Sequence, residues 1–163
     1  MLWGEWASAL ELSCMWQMAK VREKAVQEIL QLQEHAGTEC QKVLLKLSTK
    51  LGIREIRNAV IQALSSTLGS VQLIQFSTEF QVDSWALEGY MQLVLAKDGI
   101  SVEDEERLGW KTTSKLFRIR DAYLLQTLCV RGLYNSSRAF DDIVTPLIRE
   151  TFAKELEAAG WDG

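Results

Sequence analysis

The chain has 163 residues, of which 47% are hydrophobic and 25% are charged, and it carries a net charge of −4. These are ordinary values for a globular protein, so we expect one helical domain over residues 1–163. The acidic balance disfavours nucleic acid as a partner, because affinity for phosphates depends largely on Lys and Arg. No run of about 18 uncharged apolar residues occurs, which argues against a membrane-spanning segment.

The cysteines and the N-terminal residues indicate where the protein is located. Cys14, Cys40 and Cys129 are odd in number and far apart, which suits free thiols in a reducing compartment. Glu5 and Glu11 interrupt the first apolar stretch, and no basic segment precedes it, so the start of the chain does not have the pattern of a secretory signal. We therefore expect a cytoplasmic or nuclear protein.

One segment of the sequence repeats at a fixed offset of 35 residues. Residues 9–29 align with residues 44–64 without a gap, which places Leu12 on Leu47 and Val21 on Ile56. A repeat of this length is typical of helical hairpins that bury their apolar faces by stacking. The sequence therefore predicts an all-α, solenoid-like bundle with hairpins at residues 5–34 and 40–67, and it predicts that both aligned pairs are buried.

The turn inside each predicted hairpin falls on a different residue type. Gly52 occupies it in the second hairpin, where a left-handed residue suits the end of a helix. Gln17 holds the same place in the first hairpin, so we expect that turn to be built differently or to carry strain.

The remainder of the chain also reads as helix, since no alternating pattern long enough for a strand occurs. A helical region is predicted over residues 68–131, within which Ser101 followed by Asp104 resembles a capping box. A C-terminal helical segment follows over residues 138–160. Its last helix is predicted to start at Pro146, with Thr145 as the N-cap, because proline is favoured in the first helical turn.

A group of aromatic and charged motifs resembles a known family. Its most specific part is the string EERLGWKTT at residues 105–113, preceded by Trp85 and Gly89-Tyr90. The opening motif is Trp6, Leu10-Glu11-Leu12-Ser13 and Trp16. Together these motifs, over about residues 5–122, resemble the helical, BACK-like region that follows the BTB/POZ domain in fungal BTB-domain-containing proteins.

This resemblance implies a non-enzymatic, partner-facing protein–protein interaction module. In such adaptors the BTB fold itself dimerises and binds a cullin scaffold. Met1 lies just before the first predicted helix, so we expect the helical module here without the BTB fold, and neither dimerisation nor cullin binding is carried over. The family places its BTB domain against the N-terminal end of this region, so we predict that Trp3 and Trp6 form a surface for a protein partner or for self-association. Trp85 and Tyr90 are predicted to be core residues.

A basic face offers an alternative function. Lys111, Lys115 and Arg118 recur at helical spacing, so the chain could be a helical-repeat nucleic-acid binder that uses the Lys111–Arg131 face. The simpler interpretation, which we favour, is a solvated face that pairs with the acidic helix before it.

Catalytic and metal sites are the remaining possibilities. His35 with Cys40 or Cys129 could form the nucleophile pair of a small Cys-dependent enzyme, but a loop histidine and buried thiols explain these residues better. A zinc site would need His35 and all three cysteines, Cys14, Cys40 and Cys129, which lack the close pairing that zinc motifs show. The acidic run 103–106 cannot converge on an ion, because successive residues of a helix point in different directions. The sequence therefore predicts no catalytic residue, no cofactor and no metal.

Overall fold

The structure is a computed structural model that describes residues 3–33, 35–129 and 136–160. The predicted all-α fold is confirmed, since these ranges contain ten α-helices and no strand. None of the described helices is long and apolar enough to cross a lipid bilayer. The chain divides into two compact units, Met1–Leu68 and Gly69–Gly163, which are described separately below. The single domain over residues 1–163 stays a prediction.

The first unit contains two helical hairpins joined in sequence. α1 packs against α2, and α3 packs against α4. The hairpins also contact each other, since α1 lies against α3 and α2 lies against α4. The four helices are α1 (Trp3–Met15), α2 (Ala19–Gln33), α3 (Thr38–Leu51) and α4 (Arg54–Thr67).

The turns of the two hairpins have the same backbone geometry. Gly52 adopts the left-handed conformation with φ of 68°, and Gln17 adopts it as well with φ of 54°. The amide of Met18 donates to the Ser13 carbonyl at 2.9 Å, and the amide of Ile53 donates to the Ser48 carbonyl at the same distance. The predicted alternative of a differently built turn is therefore wrong. The first hairpin makes the same turn with a residue that has a Cβ, which costs strain.

Burial differs between the hairpins, and one prediction from the repeat is wrong. Ile56 is fully buried and Leu47 is half-buried, but their counterparts Val21 and Leu12 are exposed. The buried positions of α1 are instead Leu10 and Ser13. Since α3 and α4 have α1 and α2 packed beside them, whereas no described helix of this unit packs on the other side of α1 and α2, equivalent residues meet different surroundings. The 35-residue repeat itself stays a prediction.

The second unit is built around α6. This helix packs against α5, α8, α9 and α10, while α7 lies against α5 and α8. The apolar core between these helices is continuous and includes Tyr90, Leu116, Ile148 and Phe152. The six helices are α5 (Ser70–Phe80), α6 (Asp83–Leu95), α7 (Val102–Leu108), α8 (Trp110–Cys129), α9 (Ser136–Thr151) and α10 (Ala153–Ala158).

Gly89 allows α5 and α6 to approach closely. A Cβ placed on Gly89 would lie 2.6 Å from the backbone oxygen of Ser70 and 2.7 Å from Cγ1 of Ile74. A Cβ atom does not approach non-bonded heavy atoms this closely, so a larger residue would push the two helices apart. The helix pair is therefore specified by the absence of a side chain at one position.

The predicted start of the last helix is wrong. Pro146 lies inside α9, which begins ten residues earlier at Ser136, and a separate helix, α10, follows it. Proline in a helix interior removes one backbone hydrogen bond and costs roughly 3 kcal/mol. Val144, Ile148 and Phe152 are fully buried around it, and burial of three such side chains offsets a cost of that size.

Candidate functional site

The N-terminal aromatic residues proposed as an interaction surface lie at the start of α1. Trp3 is the first residue of that helix, but its side chain lies outside the described part of the chain. Trp6 is half-buried. The surface formed by Trp3 and Trp6 therefore stays a prediction. Most of the large exposed apolar side chains described in this unit lie between the end of α1 and the start of α2, and Val43 on α3 is exposed as well.

Five apolar residues form an exposed surface at the end of α1, in the turn and at the start of α2. Their side chains are between 43% and 73% exposed. On α1 they follow helical spacing, so they lie on one side of that helix. We call this surface the α1–α2 outer face; its members are Leu12, Met15, Trp16, Met18 and Val21.

The second hairpin shows what happens to this face when another hairpin packs on it. The counterparts of Met18 and Val21, 35 positions later, are Ile53 and Ile56, which are 5% and 1% exposed. The counterparts of Leu12 and Trp16 are Leu47 and Leu51, which are half-buried. Ile53 borders the same cleft as Ser13 of α1 and Val26 of α2. Four of the five positions of the α1–α2 outer face thus have counterparts in α3–α4 that are buried or half-buried.

At one position of the α1–α2 outer face the second hairpin carries a charged residue instead of an apolar one. Met15 corresponds to Lys50, which is exposed and forms an ion pair of 3.3 Å with Glu11 of the first hairpin. An exposed ion pair of this kind contributes about 0–1 kcal/mol. The first hairpin therefore carries a strongly exposed methionine where the second hairpin carries a solvated lysine.

An open cleft of about 740 Å³ lies between the two hairpins. Its lining includes Ser13, Cys14 and Arg22, together with Ile53 and Glu55. The hydroxyl of Ser13 donates to the Leu10 carbonyl at 2.8 Å, which ties this group to the helix backbone. Among the described residues that line the cleft with Cys14 there is no histidine.

The residues of the proposed Cys/His pair belong to different parts of the fold. His35 lies exposed between α2 and α3, Cys40 is half-buried in α3, and the side chain of Cys129 is outside the described residues. Within the described residues, no three His, Cys, Asp or Glu side chains are placed to hold a metal ion. The absence of catalytic, cofactor and metal sites stays a prediction.

The residues of the candidate basic face have different surroundings. Lys115 forms an ion pair of 2.6 Å with Glu155 of α10 and lies 4.8 Å from the centre of the Phe152 ring. Lys111 lies 6.0 Å from the Trp110 ring, and Arg118 lines a groove beside α7. The charge of Lys115 is thus already matched within the unit. The Lys111–Arg131 face as a nucleic-acid surface stays a prediction.

A second exposed apolar surface lies in the groove between α7 and α8. Trp110 and Val102 are 76% and 72% exposed, and Phe117 is also exposed. The three line an open groove of about 710 Å³. We call it the α7–α8 groove; its remaining lining residues are Glu105, Glu106, Gly109, Thr113, Ser114, Arg118 and Asp121.

The helix that forms one wall of this groove is capped as predicted. The hydroxyl oxygen of Ser101 accepts a hydrogen bond of 3.1 Å from the amide of Asp104. The acidic residues 103–105 lie in the first turn of α7, where the positive end of the helix dipole stabilises them. Gly109, with φ of 78°, then separates α7 from α8.

Trp85 and Tyr90 are core residues, as predicted. Trp85 is fully buried and meets the Phe80 ring edge-on at 6.1 Å between centroids. The Tyr90 ring stacks on Phe152 at 4.0 Å. Burial raises the pKa of the Tyr90 hydroxyl far above its usual range, and the negative charge of Glu155 raises it further. These two rings therefore do not form a ligand site.

Comparisons of the chain with protein-family models, with curated proteins and with solved structures found no match. The resemblance to the helical region of fungal BTB proteins accordingly stays a prediction. Two surfaces of the described residues are suited to bind a partner, the α1–α2 outer face and the α7–α8 groove. Sequence reasoning missed both, although the exposed Met15 aligned with Lys50 and the seven-residue spacing of Trp110 and Phe117 were available signals.

Proposed function

We propose that this chain is a non-enzymatic protein–protein interaction module, as its resemblance to the post-BTB helical region implies. The α1–α2 outer face is the binding surface in this proposal. The observation that carries it is the difference in exposure between the two hairpins. Ile53 and Ile56 are buried, and Ile53 borders the cleft towards the first hairpin, whereas their counterparts Met18 and Val21 are exposed to water.

The size of the outer face supports this assignment. Its five side chains leave on the order of 500 Å² of largely apolar surface exposed, a size at which a patch on a monomer is often functional. Covering it removes apolar area from water, which is the main favourable term in protein association. A partner that offers helices to this face would continue the contact that already joins α1 to α3 and α2 to α4.

The partner that we propose is a second copy of this chain. A two-fold interface requires a patch that complements itself, with an apolar centre and charges of both signs around it. Lys20 and Lys24 lie near Val21 on α2, and Glu5 lies two turns before Leu12 on α1. All three charged side chains are exposed, and Lys24 forms an ion pair of 2.6 Å with Glu28 on its own helix. A two-fold arrangement that sets α1 of one copy against α2 of the other brings Glu5 towards these lysines.

The area sets the expected strength of the dimer. Two such faces bury about 1,000 Å² in total, which is below the roughly 1,200–2,000 Å² of stable complexes. We therefore expect a concentration-dependent equilibrium between monomer and dimer rather than a permanent dimer.

Replacing Met15 by lysine tests this proposal in the full chain. Lys50 shows that the equivalent position of the second hairpin carries an exposed lysine within a helix, so Met15→Lys should leave the fold intact. It places two like charges at the centre of a two-fold interface. We expect the dimer dissociation constant, measured by sedimentation velocity over a dilution series, to rise at least about tenfold, or ~1.4 kcal/mol.

The matched control is Val102→Lys, which changes an equally exposed apolar residue on the other unit. This variant should dimerise like the unaltered protein, and circular dichroism should show the same helix content for all three proteins. A chain that stays monomeric at several hundred micromolar, or a loss of dimer that is equal for both variants, would contradict the second copy as the partner.

A further inference from the structure

We propose that the α7–α8 groove is a separate binding site for a basic amphipathic helix of another protein. This goes beyond the proposed function, because it concerns a different surface, a different unit and a partner of different chemistry. Three properties of the groove carry the inference: its exposed aromatic side chains, their spacing along α8, and the charges of its walls.

The apolar part of the groove is unusual for a surface in contact with water. Trp110 is 76% exposed at the beginning of α8, and Val102 is 72% exposed at the beginning of α7. Phe117 lies two turns after Trp110 and is exposed as well. Large aromatic side chains are the residues that most often anchor protein interfaces, because they bury much apolar area at little cost in conformational entropy.

The spacing of these side chains fits a helix as the partner. Trp110 and Phe117 are seven residues apart, so they lie on nearly the same side of α8 and about 10 Å apart along its axis. Ser114 lies between them on that side, and it lines the groove with its small side chain. Large apolar side chains of a partner helix, one or two turns apart, can therefore enter between the two rings and beside them.

The charges of the groove select the sign of the partner. Of the residues that line it, three carry carboxylates, Glu105, Glu106 and Asp121, and one carries a guanidinium, Arg118. Beyond the lining, Glu103 and Asp104 lie in the first turn of α7, Arg107 lies in its last turn, and Nζ of Lys111 lies 6.0 Å from the centre of the Trp110 ring, so the excess of negative charge belongs to the lining itself. Lysine or arginine residues that flank the apolar stripe of a partner helix would meet this excess of negative charge, whereas an acidic helix would be repelled.

The test uses the full chain and two fluorescein-labelled synthetic peptides of about 18 residues. The first peptide has leucine at i, i+3, i+4 and i+7 positions and lysine on the flanks. The second has the same leucines with glutamate in place of each lysine. We expect fluorescence anisotropy to give a micromolar dissociation constant for the basic peptide and at least tenfold weaker binding of the acidic peptide. Binding of the basic peptide should weaken as the salt concentration is raised.

Variants of the protein locate the binding. Because the Trp110 indole is largely exposed, Trp110→Ala should not disturb folding. This change should weaken binding of the basic peptide at least tenfold. Glu106→Lys should weaken it at least fivefold. Glu157→Lys makes the same charge change at an exposed position of α10 outside the groove, so it should have less than a twofold effect.

Two results would overturn the assignment of the groove. One is binding of the basic peptide that Trp110→Ala leaves unchanged, or that Glu106→Lys and Glu157→Lys weaken equally, since either would mean attraction to the net charge alone. The other is equal binding of the two peptides. Met15→Lys separates this proposal from the proposed function, because it alters only the α1–α2 outer face and should leave peptide binding unchanged.

Discussion

At the scale of single residues, the turn between α1 and α2 contains a side chain where the equivalent turn has none. Gln17 and Gly52 adopt almost the same left-handed conformation. A residue with a Cβ pays roughly 1–2 kcal/mol there, which glycine avoids. The first hairpin is therefore strained at the edge of the α1–α2 outer face, between Trp16 and Met18.

Exchanging the two turn residues should change stability in opposite directions. We expect Gly52→Gln to lower the free energy of unfolding by about 1–2 kcal/mol. Gln17→Gly should raise it by at most about 1 kcal/mol, because the greater freedom of glycine in the unfolded chain offsets part of the relief. Urea denaturation followed by circular dichroism measures both changes. Equal losses in the two variants would mean that the turns are not equivalent.

Features that depend on neighbouring residues, such as a helix cap, were predictable from the sequence. The exposure of a side chain to solvent was not. The Ser101 cap depends on atoms only three residues apart, and it formed as predicted. The burial of Leu12 and Val21 depends on whether another helix lies against them, which their own repeat pattern does not determine. Both are exposed, so the alignment of Met15 with Lys50 indicated one outward-facing position, whereas the extent of the α1–α2 outer face became visible in the structure.

At the scale of elements, the crossing of α5 and α6 depends on one glycine. Gly89 faces the Ser70 carbonyl and the Ile74 side chain at distances that leave no space for a methyl group. Because Ser70 is the first residue of α5, its backbone cannot move without moving the start of that helix. A change at Gly89 would therefore disturb the packing of the whole second unit.

Gly89→Ala should destabilise the second unit by about 1–3 kcal/mol, the usual cost of overpacking a well-filled core. The thermal midpoint of unfolding is the measurement. Gly4→Ala is the control, since a Cβ on Gly4 meets nothing within 4 Å and alanine favours a helix. A Gly89→Ala protein as stable as the unaltered chain would show that the two helices can separate at no cost.

Most elements followed from the sequence because helix ends carry local signals. Gly52 and Gly109 mark the ends of α3 and α7 in the sequence and in the structure. The helix start predicted at Pro146 was wrong, because the local preference of proline for a first helical turn was outweighed by the burial of Val144 and Ile148 on both sides of it. Where tertiary packing opposes a local signal, the sequence of one chain does not reveal which will prevail.

At the scale of the whole molecule, the described part of each unit carries an exposed apolar surface with its own chemistry. The α1–α2 outer face is flanked by charges of both signs, which suits a copy of itself. The α7–α8 groove has an excess of carboxylates, which suits a basic helix. In this account the chain is an adaptor with two independent contacts, and the two can be abolished separately by Met15→Lys and Trp110→Ala.

Isotope-filtered nuclear Overhauser spectroscopy tests whether the α1–α2 outer face binds a second copy of the chain. An equimolar mixture of ¹³C-labelled and unlabelled chain is measured at a concentration where the dimer is populated. The account predicts contacts between copies from the methyl groups of Leu12, Met15, Met18 and Val21 to the indole of Trp16. Contacts between copies that involve other residues, or none at all, would contradict it.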